Sequence, residues 1–322
     1  MTHRCHILCL ALFLTALAHS AGAQGPGAPQ PGFSGKLQAG GLFLQTDSQL
    51  STHGSNRHTG DLDGAANPHQ LISGLAALSL RYQFESGTAI YAGNPLEAGE
   101  GLSLAAGVSQ PLGGTGTLDL SISWLPIEDV WENPYLVNSA RDETGVDAYG
   151  FKAELQGIGG SPWEVGYKID RFDVEDDVIG DLEPDLERDG WTHDLGVKYT
   201  IELSPGISIK PELAYIYAHK EGASNSYHGA KAGALLVRAR PPWVLAGVLQ
   251  GAHHRYLETH PLFDKTREET VATVFGQVMR LNLFGYERLF ASLMGGYVWS
   301  DSNIDFFDSR TFLALATVGI NF

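Results

Sequence analysis

Residues 191–218 read WTHDLGVKYTIELSPGISIKPELAYIYA. Leu195, Val197, Tyr199, Ile201 and Leu203 alternate there with Asp194, Gly196, Lys198, Thr200 and Glu202. After the tight Ser204-Pro205 turn, Ile207, Ile209, Leu213, Tyr215 and Tyr217 alternate with Ser208, Lys210, Glu212 and Ala214. A period of two belongs to a β-strand, whose successive side chains point to opposite faces. The stretch is therefore an antiparallel hairpin with one apolar face and one small, polar or charged face.

The pattern recurs along the chain. Leu118, Leu120, Ile122 and Trp124 alternate with Asp119, Ser121 and Ser123. Tyr149, Phe151, Ala153 and Leu155 alternate with Gly150, Lys152, Glu154 and Gln156. Trp163, Val165, Tyr167 and Ile169 alternate with Glu164, Gly166, Lys168 and Asp170. Strands are predicted over 36–46, 75–84, 88–94, 101–110, 116–124, 147–157, 163–173, 191–203, 206–218, 227–239, 243–256, 268–282, 287–299 and 310–322. In 36–46 and 268–282 the alternation leaves the two faces open, and 88–94 is short. Tight turns follow every even-numbered strand, while most other connections are long and polar: 47–74, 125–146, 174–190, 257–267 and 300–309.

Short turns at one end and long loops at the other are the organisation of an outer-membrane barrel, with periplasmic turns and external loops. A Greek-key sandwich has no reason to alternate in this way. The last strand supports the same reading: Phe312, Ala314, Ala316, Val318, Ile320 and the terminal Phe322 share one face. Phe322 is the expected insertion signal for the barrel-assembly machinery. Aromatics fall in two groups, with Trp163, Tyr199, Trp243 and Tyr286 near periplasmic ends. Trp124, Trp191, Tyr217, Tyr227, Tyr256, Tyr297 and Trp299 fall near external ends. The predicted fold class is an all-β, antiparallel transmembrane β-barrel of about fourteen strands, with twelve as the alternative.

Composition agrees. The chain has 322 residues, 39 of them Gly, and 18 per cent are charged. The Gly share exceeds the usual ~7 per cent, and mean hydropathy is −0.09. Net charge is −16, from 21 Lys+Arg against 37 Asp+Glu. Nucleic acid is excluded as a partner, since phosphate binding needs a basic face. Residues 1–23 read as a signal peptide, with Arg4, an apolar run Ile7–Leu17 and Ala21-Gly22-Ala23 before the cut. Cys5 and Cys9, the only cysteines, leave with it. Residues 24–34 read as a flexible periplasmic leader and 35–322 as the barrel. The expected location is the outer membrane of a Gram-negative bacterium.

Several stretches carry a family likeness. They are Gly32-Phe33-Ser34-Gly35, Tyr91 to Glu97 (YAGNPLE), Asp129 to Tyr135 (DVWENPY), His260 to Thr266 (HPLFDKT) and Ser302 to Asp308 (SNIDFFD). In this order they resemble the domain of unknown function 2860 family of bacterial exported proteins, across about 32–322. The resemblance implies an outer-membrane-type barrel and no activity. It places most of these motifs in the predicted external loops, where function is often carried.

The candidate site is the inner wall. Lys152, Glu154, Glu164, Lys168, Asp170, Asp194, Lys198, Lys210 and Glu212 lie on the polar face of four consecutive strands. They are the proposed pore lining, with mixed signs that predict weak ion selectivity. A salt-bridged plug is the competing use of the same charges. The opposite wall, with Ser103, Gly107, Ser121, Ser123 and Gly296, reads as small and roomy. Nine histidines (His53, His58, His69, His193, His219, His228, His253, His254 and His260) fall near the external end without metalloenzyme spacing. Neither a metal nor another cofactor is expected. An acidic run, Asp173 to Asp189, reads as a solvated loop. The first function to weigh is a passive porin for small hydrophilic solutes, its mouth narrowed by loops 125–146 and 174–190. The alternative is a structural or surface-interaction barrel with a plugged lumen. A lipid or peptide hydrolase ranks third, since Ser226 with His228, or His254 with Asp264, lacks any spacing that demands it. Expected partners are outer-membrane lipid, lipopolysaccharide and the assembly machinery.

Overall fold

The computed structural model describes residues 31–94 and 103–322. Its strand segments are β1 (Gly32–Thr46), β2 (His69–Gln83), β3 (Ala89–Gly93), β4 (Leu104–Pro111), β5 (Thr117–Trp131), β6 (Glu143–Gln156), β7 (Trp163–Val174), β8 (Gly190–Tyr199), β9 (Ile201–Ser204), β10 (Ile207–Lys220), β11 (Tyr227–Arg240), β12 (Trp243–His260), β13 (Lys265–Leu281), β14 (Leu289–Ser302) and β15 (Ser309–Asn321). β8 and β9 are consecutive pieces of one strand, since both pair with β10. The segments therefore build fourteen antiparallel strands, each beside its neighbours in the chain. β15 pairs back onto β1 from Asn321↔Lys36 to Thr311↔Thr46. That seam closes the barrel and pairs the edges a lipid-spanning sheet cannot leave open.

The strand faces follow the sequence pattern. Large apolar side chains stand on the outer wall, among them Ile72, Ile122, Leu195, Leu213, Leu249, Leu293 and Val318. Trp163 and Tyr199 sit at the short-turn end with ring centroids 4.7 Å apart, and Trp243 and Tyr286 are exposed there. Trp124, Trp191, Tyr297 and Trp299 are exposed near the long-loop end. Two aromatic girdles frame an apolar band, as interfacial rings do on a membrane barrel. Tyr227 and Tyr256 correct the expectation, because they face inward rather than into the outer girdle. Their rings meet each other at 5.0 Å, and Tyr256 is buried. On β11 and β12 they share a phase with the inward Lys231 and His254, and phase decides the face.

The strands also run further than the alternation predicts. β2 starts at His69 rather than 75, β5 continues to Trp131 rather than 124, and β12 continues to His260 rather than 256. Above the apolar band both faces are polar, as at Glu258, Thr259 and Glu268, so the hairpins rise without an apolar alternation to mark them. The long loops shrink accordingly to 47–68, 132–142, 175–189, 261–264 and 303–308. The predicted leader 1–23 lies outside the described residues, as does the predicted tail up to residue 30. Gly32 to Ser34 already belong to β1.

Candidate functional site

The barrel interior has two unlike halves. On β5 to β11 the inward side chains are charged and joined in ion pairs. Lys152 and Lys198 reach Glu154 Oε2 at 3.3 and 2.8 Å. Lys210 meets Glu164 at 2.7 Å and Lys168 meets Asp170 at 2.8 Å. Lys231 lies 2.7 Å from Asp194 and 3.2 Å from Glu212. All nine predicted lining residues thus sit on the inner wall, each in an ion pair. Lys231 joins them although the sequence reading passed over it. Its signal was the small-polar phase Gly229-x-Lys231-x-Gly233. Asp119 adds a further inward acid, to which the Tyr91 hydroxyl donates at 2.6 Å.

The other half holds an apolar cluster among buried polar groups such as Gln38, Thr273, Ser292 and Thr317, with one ion pair near the long-loop end, Arg267–Glu269 at 2.6 Å. Leu42, Leu44, Ala77, Leu235, Val248, Val271, Phe275, Val298, Leu313 and Leu315 form one buried cluster on β1, β2 and β11 to β15. This corrects the expectation of a small and roomy opposite wall. The space beside Gly296 is filled by the Phe275 ring, and that beside Gly107 by Tyr91. In β1 and β13 apolar residues stand on both faces, so alternation could not identify an inner face there. Ser103 and Ser123 of the predicted roomy group do line open space. They border a cavity of about 90 Å³ beside Lys168, Asp170, Asp194, Lys231 and His254.

The long-loop end is covered by a packed cap. Ile304, Phe306 and Phe307 are buried there against Leu50, Leu62, Tyr135 and Phe263. The Tyr135 hydroxyl is 3.0 Å from His260 Nε2, and its ring lies 5.0 Å from that of Phe306. Burial pushes the Tyr135 phenol up to about 12. The Arg267 guanidinium lies 3.6 Å from the Phe307 ring centre and 4.5 Å from that of Tyr256. Arg141, fully buried, stacks on Trp131 at 4.7 Å. It donates from Nη1 to the carbonyls of Gln49 (3.1 Å) and Pro134 (3.0 Å), and from Nη2 to that of Asn56. Burial lowers its pKa to about 10, so it stays charged at neutral pH. Trp131 Nε1 donates to Ser51 O at 3.1 Å. The loop over 175–189 joins through Arg188, which pairs with Asp177 at 2.6 Å and donates to Trp131 O at 2.8 Å. Within it the short helix α1 (Val178–Leu182) begins at Asp177, whose side chain accepts from Gly180 N–H. The acidic run is thus folded in part, not wholly solvated.

Residues 32–322 match the family model described as a protein of unknown function, DUF2860. The chain belongs to that family. No curated protein matches it. Among solved structures it is similar to OccAB4 of Acinetobacter baumannii, with 9% identity, 92% of this chain and 100% of that chain covered, and a TM-score of 0.39. It is also similar to an anion-selective porin from Comamonas acidovorans (9% identity, 90% and 98% covered, TM-score 0.41). A third is the outer membrane channel DcaP of A. baumannii (9% identity, 90% and 96% covered, TM-score 0.43).

The structure gives each DUF2860 motif a physical role. Three meet in the cap: Trp131 and Tyr135 from DVWENPY, His260 and Phe263 from HPLFDKT, and Ile304, Phe306 and Phe307 from SNIDFFD. The other two shape the wall. The Phe322 ring lies over Gly35, where a Cβ would come within 2.5 Å of it. Backbone bonds Gly35 N–H to Phe322 O (2.7 Å) and Phe322 N–H to Gly35 O (3.0 Å) finish the seam. In the YAGNP motif, Asn94 ends β3 with its side chain: Oδ1 accepts from Leu78 N–H at 2.8 Å and Nδ2 donates to Ala76 O at 3.2 Å.

The histidines gather at the long-loop end in several environments. His193 and His228 face outward, their Nδ1 atoms bonded to Tyr167 and Tyr215 hydroxyls. His69, His254 and His260 are buried, His69 against Ser51 at 2.6 Å and His254 beside Glu269 at 3.9 Å. Among the described residues no group of three or more His, Cys, Asp or Glu is placed to hold a metal. The considered hydrolase pairs have other partners: Ser226 Oγ brackets the Lys220 backbone, and His254 faces Glu269.

Proposed function

We propose that this protein is an outer-membrane channel of a Gram-negative bacterium, passing small hydrophilic solutes passively along the charged wall of β5 to β11. Lys152, Glu154, Glu164, Lys168, Asp170, Asp194, Lys198, Lys210 and Glu212 line the path, with Lys231 beside them. The two-sided interior carries this reading. The half on β1, β2 and β11 to β15 demonstrates that this sequence can fill a barrel with Leu, Val and Phe. Ion pairs taken out of water gain little or nothing over such a filling. A series of linked charges kept beside a Leu, Val and Phe cluster is better explained by solute contact than by stability. The mixed signs along this wall favour weak ion selectivity. The apolar girdled wall supports contact with membrane lipid and lipopolysaccharide, and the terminal Phe322 supports recognition by the assembly machinery.

The capped mouth favours a second reading, a sealed barrel whose loops bind partners. Planar-bilayer recording of the purified protein separates the two. The channel reading expects a small, steady single-channel conductance that rises when the cap is loosened. A barrel that folds and inserts yet gives no current, capped or loosened, refutes it.

A further inference from the structure

The cavity under the cap has a composition that selects for charge arrangement. Two ion pairs border it: Lys168 with Asp170 along β7, and Lys231 with Asp194 between β11 and β8. Lys168 and Asp194 are themselves cross-strand partners, so the four groups are neighbours. Their formal charges cancel. From these observations we infer that the cavity is a binding site for a small zwitterionic solute, one with a carboxylate and an ammonium group a few bonds apart. The inference rests on the channel reading only for how the solute reaches the site.

Charge balance decides the class. A zwitterion can exchange partners with the wall: its carboxylate meets Lys168 or Lys231 while its ammonium meets Asp170 or Asp194. No group is left unpaired at any stage. A lone anion or cation would take one member of a pair and leave the other buried without a partner, which is strongly unfavourable. A neutral solute offers only uncharged hydrogen bonds, about half as strong as charge-assisted ones. Size points the same way, since about 90 Å³ suits a molecule of two or three carbons. Gly150 keeps the space open. A Cβ there would come within 2.4 Å of Ser123 Oγ and 2.6 Å of Asp170 Oδ1. Beside the charges, Phe172, Ile216 and Ala252 supply an apolar side for a short alkyl group.

Glycine and its uncharged isomer glycolamide make the test, because they share size and formula. The full-length mature protein is reconstituted in liposomes and uptake of each is followed. Glycine is expected to enter at least about fivefold faster, equivalent to ~1 kcal/mol. The paired variant Lys168→Met with Asp170→Asn, which removes one whole ion pair from the cavity, should lower the ratio toward one while the barrel stays folded. If that variant fails to fold, Gly150→Val supplies the second test by filling the cavity without a charge change. Binding of glycine to detergent-solubilised protein, read by saturation-transfer NMR, reports the site without permeation. Equal uptake together with no binding preference overturns the proposal and leaves the channel. Preferred binding of glycine without any uptake supports the site and removes the channel.

Discussion

Replacing Arg141 by Ala should open the cap without unfolding the barrel. The guanidinium is fully buried and bonds three backbone carbonyls, those of Gln49, Asn56 and Pro134, so it ties the loop over 47–68 to the loop over 132–142. A hydrogen bond to a charged donor contributes roughly 1.5–3 kcal/mol. Losing all three forfeits several kcal/mol, and the stacking on Trp131 goes with them. Part returns, because a buried guanidinium no longer has to be desolvated; burial already lowers its pKa to about 10. A net loss of about 3 kcal/mol remains, which is about a hundredfold in the opening constant of the cap. The barrel strands keep their ladders, so the change is local. Hydrogen exchange reads it at the inter-loop amides Asn138 and Arg141, whose N–H groups donate to Thr59 O and Arg57 O. Exchange there should accelerate about a hundredfold while amides in β10 to β13 hold their rates. Conductance should rise in the same variant. Acceleration of less than about threefold at both amides would refute the idea that Arg141 holds the cap shut.

Three other outcomes are expected. Gly40→Ala should damage the seam, because a Cβ there would sit 1.9 Å from Ala316 O; a loss above ~3 kcal/mol would appear as absence of the heat-modifiable folded band on electrophoresis. Phe322→Ala should lower the yield of assembled barrel by removing about 1–2 kcal/mol of ring contact with Gly35 and Phe33, and unchanged assembly would argue against an insertion role. The third concerns pH. Burial, then the hydrogen bond with Asp173, pushes the Asp189 carboxyl up to about 6, so the folded loop holds a proton that the unfolded chain releases near 3.8. Loop stability should be greatest below 3.8 and fall as pH rises to about 6. Asp189→Asn keeps an acceptor for Val174 N–H and should abolish that slope in exchange of the Val174 amide.

Much of the wall was legible because lipid leaves a simple mark on sequence. Leu195, Val197 and Tyr199 must be apolar outside, and Asp194, Gly196 and Lys198 need not be, so period two is clear on that strand. Legibility fails where the inside is apolar as well. Leu42, Phe43 and Leu44 follow one another with no contrast, although Leu42 and Leu44 face in and Phe43 faces out. It fails again above the membrane, where both faces are polar and β12 runs on to His260 unmarked. The cap is hidden for a third reason. Tyr135 and His260 are 125 positions apart, and no local pattern records that they touch. Their motif likeness singled them out, while only the closed topology brings them to the same mouth.

The two halves of the interior bear on how a channel this full could pass a solute. Apolar side chains such as Leu235, Val248 and Phe275 interlock by shape, and shifting them exposes surface that cannot be repaid locally. Ion pairs between lysine and carboxylate differ. Lysine has a long flexible stem, and here Lys231 bridges Asp194 and Glu212 while Glu154 bridges Lys152 and Lys198, so each has a second partner within reach. A zwitterionic solute entering this half can take over one lysine and one carboxylate together, so that neither displaced partner is left unpaired. The apolar half then acts as a fixed wall and the charged half as the yielding one. On the proposed channel reading, exchange along the series Lys231, Glu212, Lys198, Glu154 would set the rate of passage, and the Leu, Val and Phe packing opposite would set the size limit.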